Sequence, residues 1–202
     1  MARLLPTLLL VAATAVGCSG MSKTSDAPAE PLTTYAVDAG HSSVVFKISH
    51  LQTSDFFGRF NKVNGTLKFS ESDLANSSIR VVVDAGSIDT NSGDRDNHVK
   101  SPELFNVGQF PEMVFEATGF RKLRGDNYRV TGNLTFHGIT KSVEVVAVKQ
   151  GPITHERFGD RIGFTTSFVI RRSDFGMGAG MPESVLGDEV QIMVGIEGMK
   201  QG

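Results

Sequence analysis

The sequence has one cysteine, no tryptophan, only two tyrosines, and no apolar run long enough to cross a membrane as a helix. Each shortage excludes something. A single cysteine forbids an internal disulfide, and cysteine ligands for zinc are absent. Neither sign of charge dominates: 20 Lys+Arg stand against 22 Asp+Glu, for a net charge of −2. No basic patch appears, which removes nucleic acid from the partners to consider. No histidine pair lies at helical spacing, and no serine sits in a Gly-x-Ser-x-Gly elbow. Zinc chemistry and an α/β-hydrolase nucleophile therefore lack sequence support.

What is present is turn-forming and β-prone. The 202 residues are 40% hydrophobic and 21% charged, with 22 Gly and 14 Phe, which fits one globular domain with a substantial core. Apolar residues recur at period two, and helical period is almost absent. Val44, Phe46 and Ile48 share one face; so do Val63, Gly65, Leu67 and Phe69, and Ile79, Val81 and Val83. The pattern continues through Met113, Phe115 and Ala117, then Tyr128, Val130, Gly132, Leu134 and Phe136, then Val143, Val145 and Ala147. Ile162, Phe164, Thr166, Phe168 and Ile170 follow, and Val190, Ile192, Val194 and Ile196 close the series. Eight or nine such strands in one chain predict an antiparallel sheet that closes as a barrel or splits into a sandwich, and the long strands favour an all-β barrel. Gly65, Gly132 and Thr166 interrupt the apolar face. Either they leave room for a ligand, or the glycines relieve strand bends, and spacing alone does not decide.

The lone Cys18 ends "MARLLPTLLLVAATAVGC", with Arg3 as a charged start, a short apolar run from Leu4 to Val11, and small residues before the cysteine. This reads as a signal peptide over residues 1–17, and Ala-Val-Gly-Cys resembles a bacterial lipobox. Cleavage there would leave Cys18 as the lipid-attachment residue and, with Arg3 gone, 19 bases against 22 acids, or −3. Several acyl chains on one residue anchor stably where a single chain binds marginally. Ser19 in place of Asp after the cysteine favours the outer membrane, by analogy with enteric sorting. Residues 18–33 are rich in Ser, Ala and Pro and predict a flexible tether, with the barrel domain at 34–200.

The most polar stretch, "DTNSGDRDNHVKSPELF" (89–105), offers Asp89, Asp94, Asp96 and His98. A calcium loop starting at Asp89 fails: Gly93, Asp94 and Lys100 stand where Asp or Asn, Gly and a bidentate Glu are needed. Asp94, Asp96 and His98 alternate, so on a helix they point apart and make no zinc set. No metal or cofactor is expected. Instead Ser92, Asp94 and Asp96 suit the start of a short helix and Lys100 its end, with Ser101-Pro102 as a second helix start and Leu104-Phe105 pinning the excursion to a barrel rim. The glycines of "DFGMGAGMP" (174–182) lack a phosphate loop's Lys and Ser/Thr and read as a flexible flap. Arg171 and Arg172 would hold an anionic group or, more simply, pair with neighbouring acids.

Taken together, "YAVDAGHSSVVFKISHL" (35–51), "GRFNKVNGTLKF" (58–69), "VVDAGSIDTNSGDRDNHVKSPELFNVGQFPEMVF" (82–115), "VTGNLTFHGITKSVEV" (130–145), "GFTTSFVIRRSDFGM" (163–177) and "GDEVQIMV" (187–194) resemble the YceI-like family of lipid- and polyisoprenoid-binding proteins. Leu104-Phe105 stands where that family often has two Phe. The resemblance implies opening strands at 35–51, a hairpin at 58–69, and an extended lipocalin-like eight-stranded barrel holding a long isoprenoid or similar amphiphile in the cell envelope. On that reading the gaps among the Phe residues make room for a chain. The implied cavity positions are Phe46, Ile48, Leu67, Phe115, Leu134, Phe136, Phe164 and Phe168, with His41, His98 or Arg161 at the head group. No enzymatic activity is implied. Two alternatives stay open: a stress-related structural or interaction lipoprotein whose barrel its own Phe side chains fill, and an enzyme using Asp96 and His98 on an amphiphilic substrate. A homodimer also stays open, as nothing in the sequence sets the oligomeric state.

Overall fold

The computed structural model describes residues 30–202; the signal segment, Cys18 and most of the expected tether lie outside the described residues. The strands are β1 (Thr33–Val37), β2 (Ser43–His50), β3 (Ser54–Phe60), β4 (Val63–Phe69), β5 (Ser78–Asp84), β6 (Ile88–Asp89), β7 (Glu112–Lys122), β8 (Asn127–Phe136), β9 (Ile139–His155), β10 (Gly159–Arg171) and β11 (Leu186–Lys200). Among the described residues one α-helix, α1 (Gly93–Lys100), stands between β6 and β7. Eight antiparallel strands close a ring in the order β1-β4-β5-β7-β8-β9-β10-β11, with β11 returning to β1, and β2, β3 and β6 branch from β11. The all-β barrel that the alternation favours, with the eight strands that the resemblance implies, is thus present.

The closure has a feature that alternation does not reveal. β11 pairs with β1 through Gly198–Lys200 and with β2 through Leu186–Gly195, so two strands in succession serve one edge. β3 then pairs antiparallel with β2, while β4 pairs antiparallel with both β1 and β5. The expected hairpin at 58–69 is therefore not one: β3 and β4 run end to end in the same direction, and the hairpin is β2–β3. This splits the barrel into two halves. One half ends at Phe69, Tyr128 and Lys200 and is walled by β1 and β4. The other ends at His50, Phe136 and Arg171; there β2 and β3 form the wall, and α1 with the 101–111 and 172–186 segments covers the end.

The first half is filled by side chains. Leu67 and Tyr128 are wholly inaccessible, and Val130, Ile162, Phe69 and Phe164 are buried around them. The Phe69 ring meets Phe164 at 5.2 Å, Tyr128 at 5.5 Å and Phe120 at 6.1 Å between centroids, edge-on as aromatic quadrupoles prefer. Glu30, at the end of the expected tether, lies against this half: its carbonyl accepts from the Ser70 and Ser72 hydroxyls at 2.6 and 2.9 Å.

The glycines do not leave vacant space. A Cβ on Gly132 would lie 2.5 Å from the Phe115 ring, which occupies the gap. A Cβ on Gly65 would lie 2.1 Å from the Arg80 carbonyl, at a φ of +153°. Both glycines permit close approach of protein to protein, which corrects the expectation that they make room for a ligand chain. Thr166 does face open space.

Candidate functional site

The acidic stretch builds the rim as its capping chemistry predicts. Ser92 caps α1, with Asp94 and Asp96 in the first turn and His98 and Lys100 in the last. The second helix does not form: Ser101 is the C-cap of α1, and the chain continues in turns. Here Phe105 N–H donates to the Val99 carbonyl at 3.0 Å, and Asn106 N–H to the Ser101 carbonyl at 2.8 Å. Those turns bury Leu104 and Phe105 and so satisfy the apolar residues without a helix. Asp96 reaches back over the helix start, its Oδ1 accepting from the Thr90 N–H at 2.8 Å and the Thr90 hydroxyl at 2.6 Å.

Beneath this cover lies a cavity of about 280 Å³, lined almost entirely by apolar atoms. Of the eight expected cavity residues, Phe46, Ile48, Phe115, Leu134, Phe136 and Phe168 line it; Leu67 and Phe164 instead lie in the packed half. Period two assigns a residue to the inner face but says nothing of its depth along the barrel. Phe56, Phe60, Leu104, Phe105 and Met177 also line the cavity. Phe56, Gly58 and Phe60 do alternate, but Phe57, turned outward and 55% exposed, obscures the period. A chain of rings, Phe46–Phe60–Phe105–Phe136–Phe175, runs through this half at centroid spacings of 5.8, 5.8, 5.2 and 5.4 Å.

The residues expected at a head group do not meet there. His98 is exposed and faces Glu103 at 3.1 Å. His41 and Arg161 stand together at the break between β1 and β2, away from the cavity lining. Arg161 Nη1 lies 2.7 Å from Asp38 Oδ2 and 3.4 Å from Glu197 Oε1, and His41 Nδ1 lies 2.9 Å from Asp38 Oδ2. The His41 bond, with help from Arg161, lowers the Asp38 pKa to about 2, and Asp38 in turn raises that of His41. Asp38, His41 and Glu197 could each offer a metal ligand, but the Arg161 guanidinium already supplies the positive charge between the two carboxylates.

The polar residues at the cavity itself are His50, Thr90, Arg95 and Thr166. Arg95 donates from Nε to the Thr90 hydroxyl at 3.0 Å and from Nη2 to the Thr90 carbonyl, and its guanidinium lies 4.5 Å over the Phe56 ring. Arg95 belongs to the polar stretch that the sequence singles out, where composition points to His98 instead.

The 172–186 segment is pinned rather than flexible. Arg172 is 4% exposed and donates to the carbonyls of Met177, Gly178, Met181, Leu186 and Gly187 at 2.7–3.1 Å. It pairs with no carboxylate among the described residues; five carbonyl dipoles replace its hydration. His137 Nδ1 adds a 3.0 Å hydrogen bond to the Phe175 carbonyl, joining the β8–β9 turn to the same cover.

Comparison with known proteins agrees with this geometry. The family model described as the YceI-like domain matches residues 35–198. Protein YceI of Salmonella newport is 35% identical over 162 residues, covering 80% of this chain and 83% of that protein. A YceI crystal structure from Campylobacter jejuni is 26% identical with a TM-score of 0.67, covering 77% of this chain and 91% of its own. A domain from Saccharophagus degradans, described as polyisoprenoid binding and implicated in plant cell wall breakdown, has a TM-score of 0.64 at 15% identity, covers 85% of this chain and 100% of its own, and shares the fold. With the barrel, its covered apolar cavity and a family match running from β1 into β11, the chain belongs to the YceI-like family.

Proposed function

We propose that this protein binds an isoprenoid-like or similar amphiphilic lipid, with the apolar tail inside the barrel, and carries or stores it in the bacterial cell envelope. One observation carries the reading: a cavity of about 280 Å³ at one end of the barrel with almost wholly apolar walls, whereas the cavities at the other end are walled in part by charged residues such as Arg161, Glu197, Glu71 and Lys149. That volume is close to the lower end of small-molecule sites, about 300 Å³. It equals the liquid volume of roughly nine waters, so it holds a chain segment of about as many carbons. At about 0.8 kcal/mol per buried CH₂, such a segment gains about 7 kcal/mol before ordering costs. Affinity of this kind needs no catalytic group. The structural neighbour described as polyisoprenoid binding supports the same ligand class.

The Cys18 anchor, the periplasmic face and the outer membrane are part of the proposal, and the lipobox-like sequence supports them. The enzyme alternative gains nothing from the rim, where Asp96 is occupied by Thr90 and His98 by Glu103. Organic extraction of protein purified from its native host, followed by mass spectrometry, tests the reading. A lipid at near-equimolar ratio is expected. An empty protein that also fails to take up added isoprenoids would favour a barrel with a structural role only. Metabolic labelling with a fatty acid, lost in Cys18→Ala, tests the anchor.

A further inference from the structure

Arg95 is the single permanent cation among the residues lining the cavity, and that lining contains no carboxylate. Its position is fixed. The Thr90 hydroxyl accepts from Arg95 Nε and donates to Asp96 Oδ1, making an Asp96–Thr90–Arg95 relay. Nη2 is spent on the Thr90 carbonyl, and the flat guanidinium rests on Phe56. Nη1 then has no protein acceptor among the described residues, so its two N–H groups and the second N–H of Nη2 remain for a ligand. We infer that Arg95 is a specificity-determining residue: it receives the head of the bound amphiphile at the mouth and favours an anionic head, a phosphate or carboxylate, over a neutral alcohol and an amine. This rests on the lipid-binding reading and adds the head-group chemistry to it.

The physical case is a contrast of two solvents. An apolar tail gains the same burial whatever its head, so head preference is set where the chain leaves the cavity. A preorganised guanidinium there forms charge-assisted hydrogen bonds with an anion and repels an ammonium. Arg95 is exposed on its outer side and Asp96 lies one hydroxyl away, so both water and a nearby carboxylate weaken the effect. A preference of about tenfold is expected, at the low end for a hydrogen bond to a charged group.

The test uses displacement of the neutral fluorophore N-phenyl-1-naphthylamine by geranyl phosphate, geraniol and geranylamine, whose common ten-carbon tail suits the cavity. In wild type the phosphate should displace the probe at about one tenth the concentration of the alcohol, and the amine should be the weakest. The ratio of phosphate to alcohol is internal to each protein, so a general loss of affinity does not disturb it. In Arg95→Gln the ratio should fall to within about twofold. In Arg95→Lys, which keeps the charge but loses the bidentate tie to Thr90, it should stay above about threefold. His98→Gln, on the exposed face of α1, should leave it at the wild-type value. Equal displacement by phosphate and alcohol in wild type, or a ratio that survives in Arg95→Gln, overturns the assignment while leaving lipid binding intact. Failure of all three compounds to displace bound probe would remove the lipid-binding reading, and this one with it.

Discussion

The two halves of the barrel are made from the same alternating strands and are filled in opposite ways. In the packed half the inward residues meet one another: Leu67 and Tyr128 are wholly inaccessible, and Phe69 is ringed by three aromatics. In the open half the inward residues line a cavity, and the end is closed by α1 and two irregular segments rather than by sheet. Buried charge follows the same division. The packed half keeps an ion-pair network in which Glu71 joins Lys149, at 2.9 Å, to Lys122, while the cover of the open half is held by Arg172 on carbonyls, without a carboxylate among the described residues. Backbone cost differs as well. Among the described residues, the five non-glycine residues with positive φ, Leu51, Gln52, Asn91, Asn106 and His137, lie in turns and segments at the open end. At the packed end the positive φ values fall to Gly125, Gly151 and Gly159. Strain and space occur together at the end proposed to bind, as expected where a site is held by its surroundings rather than by its own preference.

The largest expected effect breaks the packed end. The Lys149 side chain is 5% exposed, and Glu71 bridges it to Lys122. Glu71→Ala leaves the buried Lys149 charge with the Gly151 carbonyl but no counter-charge, and a loss of about 3–5 kcal/mol in urea unfolding is expected. The pH dependence has a definite sign. Lys122, then Lys149, lower the Glu71 pKa from 4.5 to about 2. The unfolded chain therefore takes up the proton first as pH falls. Glu71 contributes its full stability above pH 4.5 and loses it progressively down to about pH 2. Stability against pH in Glu71→Gln should be flatter across that window than in wild type. It should not be flat, because Asp38, also lowered to about 2, titrates there too. Coincident curves would show that the pair carries no linkage.

Next in size is a change at the open end that should affect binding and spare the fold. Val194 points into the cavity from β11. Val194→Phe would exclude about four carbons of a bound chain, or about 3 kcal/mol, which is roughly a two-hundredfold loss of isoprenoid affinity. The unfolding midpoint should hold or rise, because the new ring fills space already present. A variant that binds lipid as wild type does would mean that the chain lies elsewhere.

A matched pair then measures the contrast directly. Leu67→Ala in the packed half should cost about 3–4 kcal/mol, from lost transfer energy plus a new cavity. Leu134→Ala, at a partly exposed residue on an existing cavity, should cost about 1–2 kcal/mol. Equal losses in chemical denaturation would show that the halves are packed alike.

The same distinction explains what could be read in advance. The eight alternating stretches are β2, β4, β5, β7, β8, β9, β10 and β11, each long enough to display period two. β1 has five residues and β6 has two, too few to show a period, and β3 is masked by Phe56-Phe57. Alternation therefore indicates the barrel but not that β1 and β2 divide one edge of β11, which is what separates the halves. For the site, alternation places Phe46, Phe115 and Phe168 on the inner face correctly, and Leu67 and Phe164 equally so. Which of them meet open space depends on the cover, set by hydrogen bonds that Arg172 donates and Asp96 accepts across residues distant in sequence or turned back on themselves. Arg95 was hidden for the same reason: its orientation comes from Thr90, not from any period of its own.

The smallest effect concerns the backbone. Leu51 and Gln52 form the β2–β3 turn with φ of 52° and 55°, and Thr53 N–H donates to the His50 carbonyl at 3.1 Å. That is the turn for which Asn-Gly is preferred, and neither residue is present. Gln52→Gly removes about 1 kcal/mol of left-handed strain but adds unfolded-state freedom of nearly the same size. A net gain of no more than about 0.5 kcal/mol is expected. The mirror change at the packed end is Gly125→Ala, at φ 64° with no atom near enough to clash, so its cost is conformational alone, about 1 kcal/mol. Opposite signs in paired urea unfolding would locate stored strain at the mouth. If both variants proved neutral, the ends would differ in packing and charge but not in backbone cost, and the strained turn would be incidental to binding.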